Sequence, residues 1–250
     1  MIALKKAIIT IISVFAVLFC LVSLILPRYK AEIYTLMYPR NLSVESDLSA
    51  KEVQLKKGDH FILGKCYGEP IVWEIIDCKE KTLAWSDNAV CFREYDDESA
   101  DWKTSELRDW LNDEAENGFL CDTNFSSSDK DLIYDDHSTE KMFILSKPQL
   151  EQFSPGERVK APTAEAVRNC DSDKLVIRRN CWYWTSSEIN TNSSSVTAVT
   201  QSGDFYKTLM SDPLVGVCPA FYLRSNKVTV CGGNGSAEEP YIIATGGESR

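Results

Sequence analysis

The chain has 250 residues, 44% apolar and 26% charged, with 27 basic against 37 acidic side chains and a formal charge of −10. Ten Tyr, ten Phe and six Trp supply ample material for a packed core, which excludes a disordered chain. The acidic balance excludes a nucleic-acid partner and attachment to anionic lipid through a basic face; such a charge ordinarily keeps a domain soluble.

The first predicted element is apolar throughout. Ala7 to Pro27 runs AIITIISVFAVLFCLVSLILP, 21 residues without a charge, behind Lys5 and Lys6. About 20 such residues cross a bilayer core as a helix. Leu24, Ile25 and Leu26 lead directly into Pro27-Arg28-Tyr29, with no small-x-small cleavage pattern, so residues 7–27 read as an uncleaved transmembrane signal anchor. Residues 1–6 form a cytoplasmic N-terminus. The positive charges before the span outweigh Arg28 and Lys30, which Glu32 partly offsets. Residues 28–250 are therefore expected outside the cytoplasm, on a single-pass protein of the cell membrane.

Eight of the nine cysteines follow the span: Cys66, Cys78, Cys91, Cys121, Cys170, Cys181, Cys218 and Cys231. An even count in an exported domain predicts disulfides, at least two of them. No C-x-x-C pair occurs, which removes zinc ribbons and thioredoxin-type chemistry.

Residues 28–52 read as a stalk, and the folded domain spans 53–246. HFILG (60–64), PIVWEIID (70–77) and KTLAWS (81–86) are short, apolar and β-rich, strands of a meander separated by turn-like KKGD and CKEK. WKTSELRDWLN (102–112) is a helix with Thr104 as N-cap. Leu107, Trp110 and Leu111 fall at i, i+3 and i+4, so this is a framework helix with Arg108 in a structural polar contact. Ser146-Lys-Pro-Gln149 has capping-box spacing with Pro in the first turn, and Thr163 starts a further helix. From Cys181 the chain returns to strands: CWYWTSS, SVTAVTQSGDFY with a turn at Ser202-Gly203-Asp204, VGVCPAFYL, KVTVC and PYIIA. Strands at both ends of the domain suit a sheet that joins the two ends, in an α+β fold.

Few residues carry catalytic chemistry. His60 and His137 are the only histidines, and no Gly-x-Ser-x-Gly elbow is present, which removes a serine hydrolase and a multi-histidine zinc site. Acidic clusters occur at Asp96-Asp97-Glu98 with Asp101, at Asp135-Asp136 and at Asp171-Ser-Asp173, none with EF-hand spacing. No cofactor is expected; these are charged loops, with a structural calcium ion as the alternative and any other metal left open. The aromatic cluster of Trp182, Tyr183, Trp184, Phe205, Tyr206 and Tyr222 is the most site-like feature. Strand alternation exposes either Tyr183 or its two Trp neighbours. An exposed aromatic beside Ser and Asn suits stacking on a sugar or a peptide.

Taken in order, GDHFILGK, PIVWEIID, WKTSELRDWLN, FILSKPQLEQF, APTAEAV, YWTSS, SSVTAVTQSGDFY and GVCPAFYL resemble a bacterial domain-of-unknown-function family, number 6273, over about residues 56 to 244. That family looks like a member of the C-type-lectin-like group that includes formylglycine-generating enzymes. The resemblance implies a compact α+β domain with paired N- and C-terminal strands and a loop-rich face, and it carries no general activity. Leu107, Arg108, Trp110, Leu111, Trp182, Trp184 and Pro219 would be structural. Two arginines of the family pattern are replaced here, one by Thr185 or Ser186 and one by Cys218, whose suggested disulfide partner is Cys181. The expected function is a membrane-anchored extracytoplasmic binding or display module, without catalysis, for a carbohydrate, peptide or envelope-protein partner. Its ligand face would contain Tyr183, Ser186, Asn190, Asn192, Asp204 and Tyr206. The alternatives are an oxidase of the formylglycine-generating kind using a cysteine pair, and a structural part of an envelope complex.

Overall fold

A computed structural model describes residues 29–40, 42–43, 46–134, 140–170, 174–176, 178–189 and 194–244. The proposed span at 7–27 lies outside them, and among the described residues no helix is long and apolar enough to cross a membrane.

The fold is mixed α+β, with more strand than helix. Its larger sheet has eight strands: β1 (Ser46–Gln54), β2 (His60–Cys66), β3 (Glu69–Asp77), β4 (Thr82–Ser86), β6 (Phe143–Ile144), β11 (Pro219–Leu223), β12 (Lys227–Gly232) and β13 (Tyr241–Ile243). Their spatial order is β1-β12-β13-β2-β3-β4-β11-β6. The smaller sheet runs in space from β5 (Cys91–Phe92) through β10 (Gly216–Val217), β7 (Tyr183–Glu188) and β8 (Ser195–Val199) to β9 (Phe205–Leu209). The ends of the domain close on each other as the strand pattern suggested. β12 runs antiparallel to β1, and β13 parallel to β2.

Local chemistry explains the turns. Tyr67 and Gly68 both have positive φ, 53° and 84°, which joins β2 to β3 in the two-residue geometry that matches strand twist. At the β8–β9 turn Gly203 has φ +85°, and a Cβ there would lie 1.9 Å from the Pro155 carbonyl oxygen, so no larger residue fits.

Both faces of the β2–β4 region are covered. Phe61, Trp73, Ile75, Ala84 and Phe221 face one way, against Leu107, Phe125 and Trp184. On the other face, Ile76, Leu83, Trp85 and Ala220 meet Leu145, Leu150 and Tyr183. The helices are short: α1 (Lys30–Met37) precedes β1, and α2 (Glu106–Asn112), α3 (Ser127–Leu132), α4 (Lys147–Leu150), α5 (Pro155–Arg158) and α6 (Ala164–Arg168) lie between strands.

Of the segment read as a stalk, 28–52, the described helix Lys30–Met37 and strand Ser46–Gln54 are built into the domain. In α1, Ala31 and Tyr34 are buried and share a small cluster with Val167 of α6. The Tyr34 hydroxyl donates to the Pro162 carbonyl at 2.9 Å, and the Lys30 ammonium to that of Cys170. The apolar pair one turn apart in a short polar stretch was too weak a pattern to read without its partner surface.

The WKTSELRDWLN stretch forms a short helix that puts two leucines into the core. A 3-10 turn, Trp102–Thr104, precedes α2, which moves the N-cap one residue from Thr104 to Ser105, whose Oγ accepts from Arg108 N at 3.2 Å. Leu107 and Leu111 are fully buried, while Trp110 is only partly so and lies under the Arg93 guanidinium at 4.9 Å. Arg108 Nε donates to Glu140 Oε1 at 3.2 Å, the same oxygen that accepts from Trp102 Nε1 at 2.6 Å. The expected capping box at Ser146–Gln149 and the Thr163 cap are both formed.

Candidate functional site

The expected ligand strand is buried on both sides. Tyr183 and Trp184 are each 1% exposed, because β7 passes between the two main apolar clusters rather than along a wet face. Tyr183 therefore belongs to the core: its hydroxyl donates to the Arg158 carbonyl at 2.7 Å. Trp184 Nε1 donates to Arg93 O at 2.8 Å. Asn190 and Asn192 lie outside the described residues. Ser186 is half-buried, with its backbone N–H bonded to Leu145 O at 3.2 Å. Asp204 is used inside the β8–β9 turn, accepting from Ser202 Oγ at 2.8 Å. Pro219 is buried in register with Ile144.

Of that cluster Tyr206 is exposed, while Trp182, Phe205 and Tyr222 are half-buried. Tyr206 is 60% exposed and meets the half-buried Trp182 edge-on, with ring centroids 5.7 Å apart. Beside Trp182 opens a cleft of about 170 Å³, lined also by Tyr34, Phe92, Pro162, Arg178, Asn180 and Gln201. Trp182, given a structural role by the family resemblance, thus lines the cleft together with Tyr34 and Phe92. α1 contributes a wall of it through Tyr34, a residue that the stalk reading had left unassigned.

The acidic loop 96–101 spends its carboxylates on its own backbone. Asp96 is 4% exposed. It accepts from Glu98 N and Ser99 N at 2.7 and 2.6 Å through Oδ1, and from Glu106 N at 2.9 Å through Oδ2. Asp101 accepts from Lys103 N at 2.9 Å. The clusters at 135–136 and 171–173 lie outside the described residues. Among the described residues, the set of metal-capable side chains whose ligand atoms converge is His60, Glu74 and Asp87, all within 4.8 Å of one another. Burial would raise the Asp87 carboxyl, but His60, Lys160 and Arg40 outweigh it and hold it at about 2. Next to Asp87 in the chain, Trp85 Nε1, Ser86 Oγ and Asn88 Oδ1 are buried without a hydrogen-bond partner.

The anticipated disulfides are not formed: all eight cysteines that follow residue 27 are free thiols, Cys181 and Cys218 among them. Each was placed by packing in a strand or loop of its own, and even spacing in a sequence does not bring sulfurs to bonding distance. Burial pushes the Cys66 and Cys218 thiols up to about 12, and those of Cys91 and Cys181 well above their ordinary value. A thiolate is the reactive form, so these groups are chemically quiet. Their stabilising effect is complete below about pH 9, where an unfolded cysteine is also protonated, and is lost as pH rises toward 12. At pH 8, iodoacetamide followed by peptide mass spectrometry should find label on the half-exposed Cys78 and Cys231, with Cys66, Cys91 and Cys218 reacting only after denaturant is added. Fast native labelling of Cys66 or Cys218 would contradict their burial.

Comparison with protein-family models, with curated proteins and with solved structures finds no match.

Proposed function

We propose that this chain is a membrane-anchored extracytoplasmic binding module without catalytic chemistry of its own, C-type-lectin-like in its domain, whose ligand enters the cleft beside Trp182. The half-buried Trp182 at the cleft, met edge-on by the exposed Tyr206, carries this reading. Trp182 at the cleft, with Tyr206 edge-on to it outside and with Asn180, Gln201 and Arg178 at the wall, offers a stacking surface next to hydrogen-bond donors and acceptors. The volume of about 170 Å³ is well below the roughly 300–1,000 Å³ of a drug-sized site. It suits one ring of a larger ligand, and a sugar unit of an envelope glycan fits that description best.

The quiet thiols support binding over the cysteine-pair oxidase, since no described cysteine with a shifted acidity is moved toward the thiolate. Anchoring rests on the uncharged run from Ala7 to Pro27.

Both parts are testable on the full chain expressed in a bacterial host. A C-terminally tagged protein should pellet with membranes and lose its tag to protease added to spheroplasts. After detergent extraction it should be retained on purified cell-wall sacculi and on immobilised acidic or neutral oligosaccharides. Trp182→Ala should weaken that retention about tenfold, equivalent to ~1.4 kcal/mol, with the melting temperature little changed. Equal retention of wild type, Trp182→Ala and Tyr206→Ala would sink the cleft assignment, and a protease-protected tag would sink the orientation.

A further inference from the structure

Away from that cleft, three adjacent strands bring a histidine and two carboxylates to one place. His60 opens β2, Glu74 is its cross-strand partner on β3, and Asp87 follows the end of β4. Glu74 is in turn paired with Trp85, so the three side chains share one edge of the same sheet face. All are half-buried, and their ligand atoms lie within 4.8 Å of one another.

The histidine is oriented as a ligand. Its Nδ1 sits 3.1 Å from the Gly58 carbonyl oxygen, which can only accept, so Nδ1 carries the hydrogen and Nε2 is the nitrogen turned toward the carboxylates. A backbone carbonyl on the second ring nitrogen is the usual device for fixing the tautomer of a metal-bound histidine. Gly58 has φ +88°, a turn conformation that presents this carbonyl. The Nε2 to Asp87 Oδ1 distance is 3.8 Å. A charged hydrogen bond between them would close to about 2.7–2.9 Å. At that distance the two groups attract each other as an ion pair when His60 is protonated, and a bridging cation would take the place of that proton. Among the described residues Glu74 makes no hydrogen bond or ion pair, although it faces His60.

We infer that His60, Glu74 and Asp87 form a binding site for a divalent transition-metal cation of the zinc class, ligated through His60 Nε2 and one oxygen of each carboxylate. One imidazole with two carboxylates suits zinc or manganese better than calcium, which takes oxygen ligands. With metal–ligand bonds of about 2.0–2.2 Å the three donor atoms stand roughly 3–3.5 Å apart, a short contraction that rotation of the two carboxylates supplies. Asp87 would bind through Oδ1, because its Oδ2 already accepts from Arg40 Nη2 at 3.3 Å and is held by it. The charges facing the site are then Glu74 and Asp87 against Arg40 and Lys160. Lys160 is 4% exposed and lies over the Trp85 ring, 3.6 Å from its centroid, where its charge also acts on Asp87. The two carboxylates offset the two cations, so the affinity expected is micromolar rather than nanomolar. Three protein ligands leave the fourth tetrahedral position to water or to a ligand group, and the bound ion would tie β2, β3 and β4 together.

The test uses the full chain in detergent, stripped with a chelator and then dialysed, and titrated with Zn²⁺ by calorimetry and with Co²⁺ by absorbance. Expected are one zinc per chain, a Co²⁺ spectrum without the near-ultraviolet thiolate band, and a melting temperature raised by about 5 °C or more at a hundredfold excess over Kd. His60→Gln and Glu74→Gln keep the shape of the site and should each weaken zinc binding at least tenfold, while melting like the metal-free wild type. Binding that is unchanged in both variants, binding through thiolates, or no binding at millimolar zinc would overturn the assignment.

Discussion

Trp73→Ala is expected to remove about 4 kcal/mol of stability, within the roughly 3–5 kcal/mol that large aromatic truncations in a core cost. Trp73 is fully buried at the centre of β3, where its ring meets Phe221 edge-on at 4.8 Å. Its Nε1 donates to the Leu63 carbonyl of β2 at 2.8 Å. The substitution therefore opens a cavity and leaves a buried carbonyl without its side-chain donor, and those two costs add. For a chain of this size ~4 kcal/mol corresponds to a fall of about 8–16 °C in melting temperature. Circular dichroism melts of wild type, Trp73→Ala and Trp73→Phe separate the contributions. The Phe variant restores most of the volume but not the donor, and should recover more than half of the loss. If Trp73→Ala melts within about 3 °C of wild type, the packing described for this face of the sheet is wrong.

A second large effect is expected at Asn112, the last residue of α2. Its Nδ2 donates to Arg108 O at 2.9 Å and to Met142 O at 2.8 Å, and its Oδ1 accepts from Lys141 N at 2.6 Å and from Met142 N at 3.0 Å. One side chain thus satisfies the backbone on both sides of residues 141–142, just before β6 joins the large sheet through β11. Asn112→Ala strands those groups. At about 1–3 kcal/mol for each buried group left unpaired, partly relieved by water because Asn112 is only half-buried, the net loss should be about 3 kcal/mol. Asn112→Asp keeps the acceptor and loses both donated bonds, so it should fall between the two. Equal stability of Asn112→Ala and wild type in urea would show that water replaces these bonds without cost.

The opening stretch of α2 shows how much was legible in one dimension. The spacing of Leu107 and Leu111 placed a buried stripe on a helix, and both are fully buried. The position of the cap was off by one residue because Asp101 nucleates a separate 3-10 turn, a local competition between two adjacent capping side chains. The strands at 60–66, 69–77 and 82–86 were equally readable from β-branched and aromatic runs bounded by turn residues.

Alternation was less informative for β7. A period-two pattern predicts one wet face only when the strand has one, and β7 has none until Ser186. The candidate ligand strand became core for that reason, and the exposed aromatic turned out to be Tyr206 on the edge strand β9, with the half-buried Trp182, just before β7, beside it.

By itself the sequence determined the uncharged run at 7–27, the acidic balance, the α+β class, and most strands, caps and turns. These are local properties: each depends on residues within one or two turns of one another, and the physics that sets them acts at that range. Tertiary structure alone decided where Tyr183 points, that the eight cysteines stay apart, and that α1 packs against α6 instead of standing free. It also decided the meeting of His60, Glu74 and Asp87. They are 14 and 13 residues apart in the chain, a separation with no motif, and they converge because two antiparallel strand pairings place them side by side. Contacts of that kind are set by register across a sheet, and register is fixed only when the whole core packs.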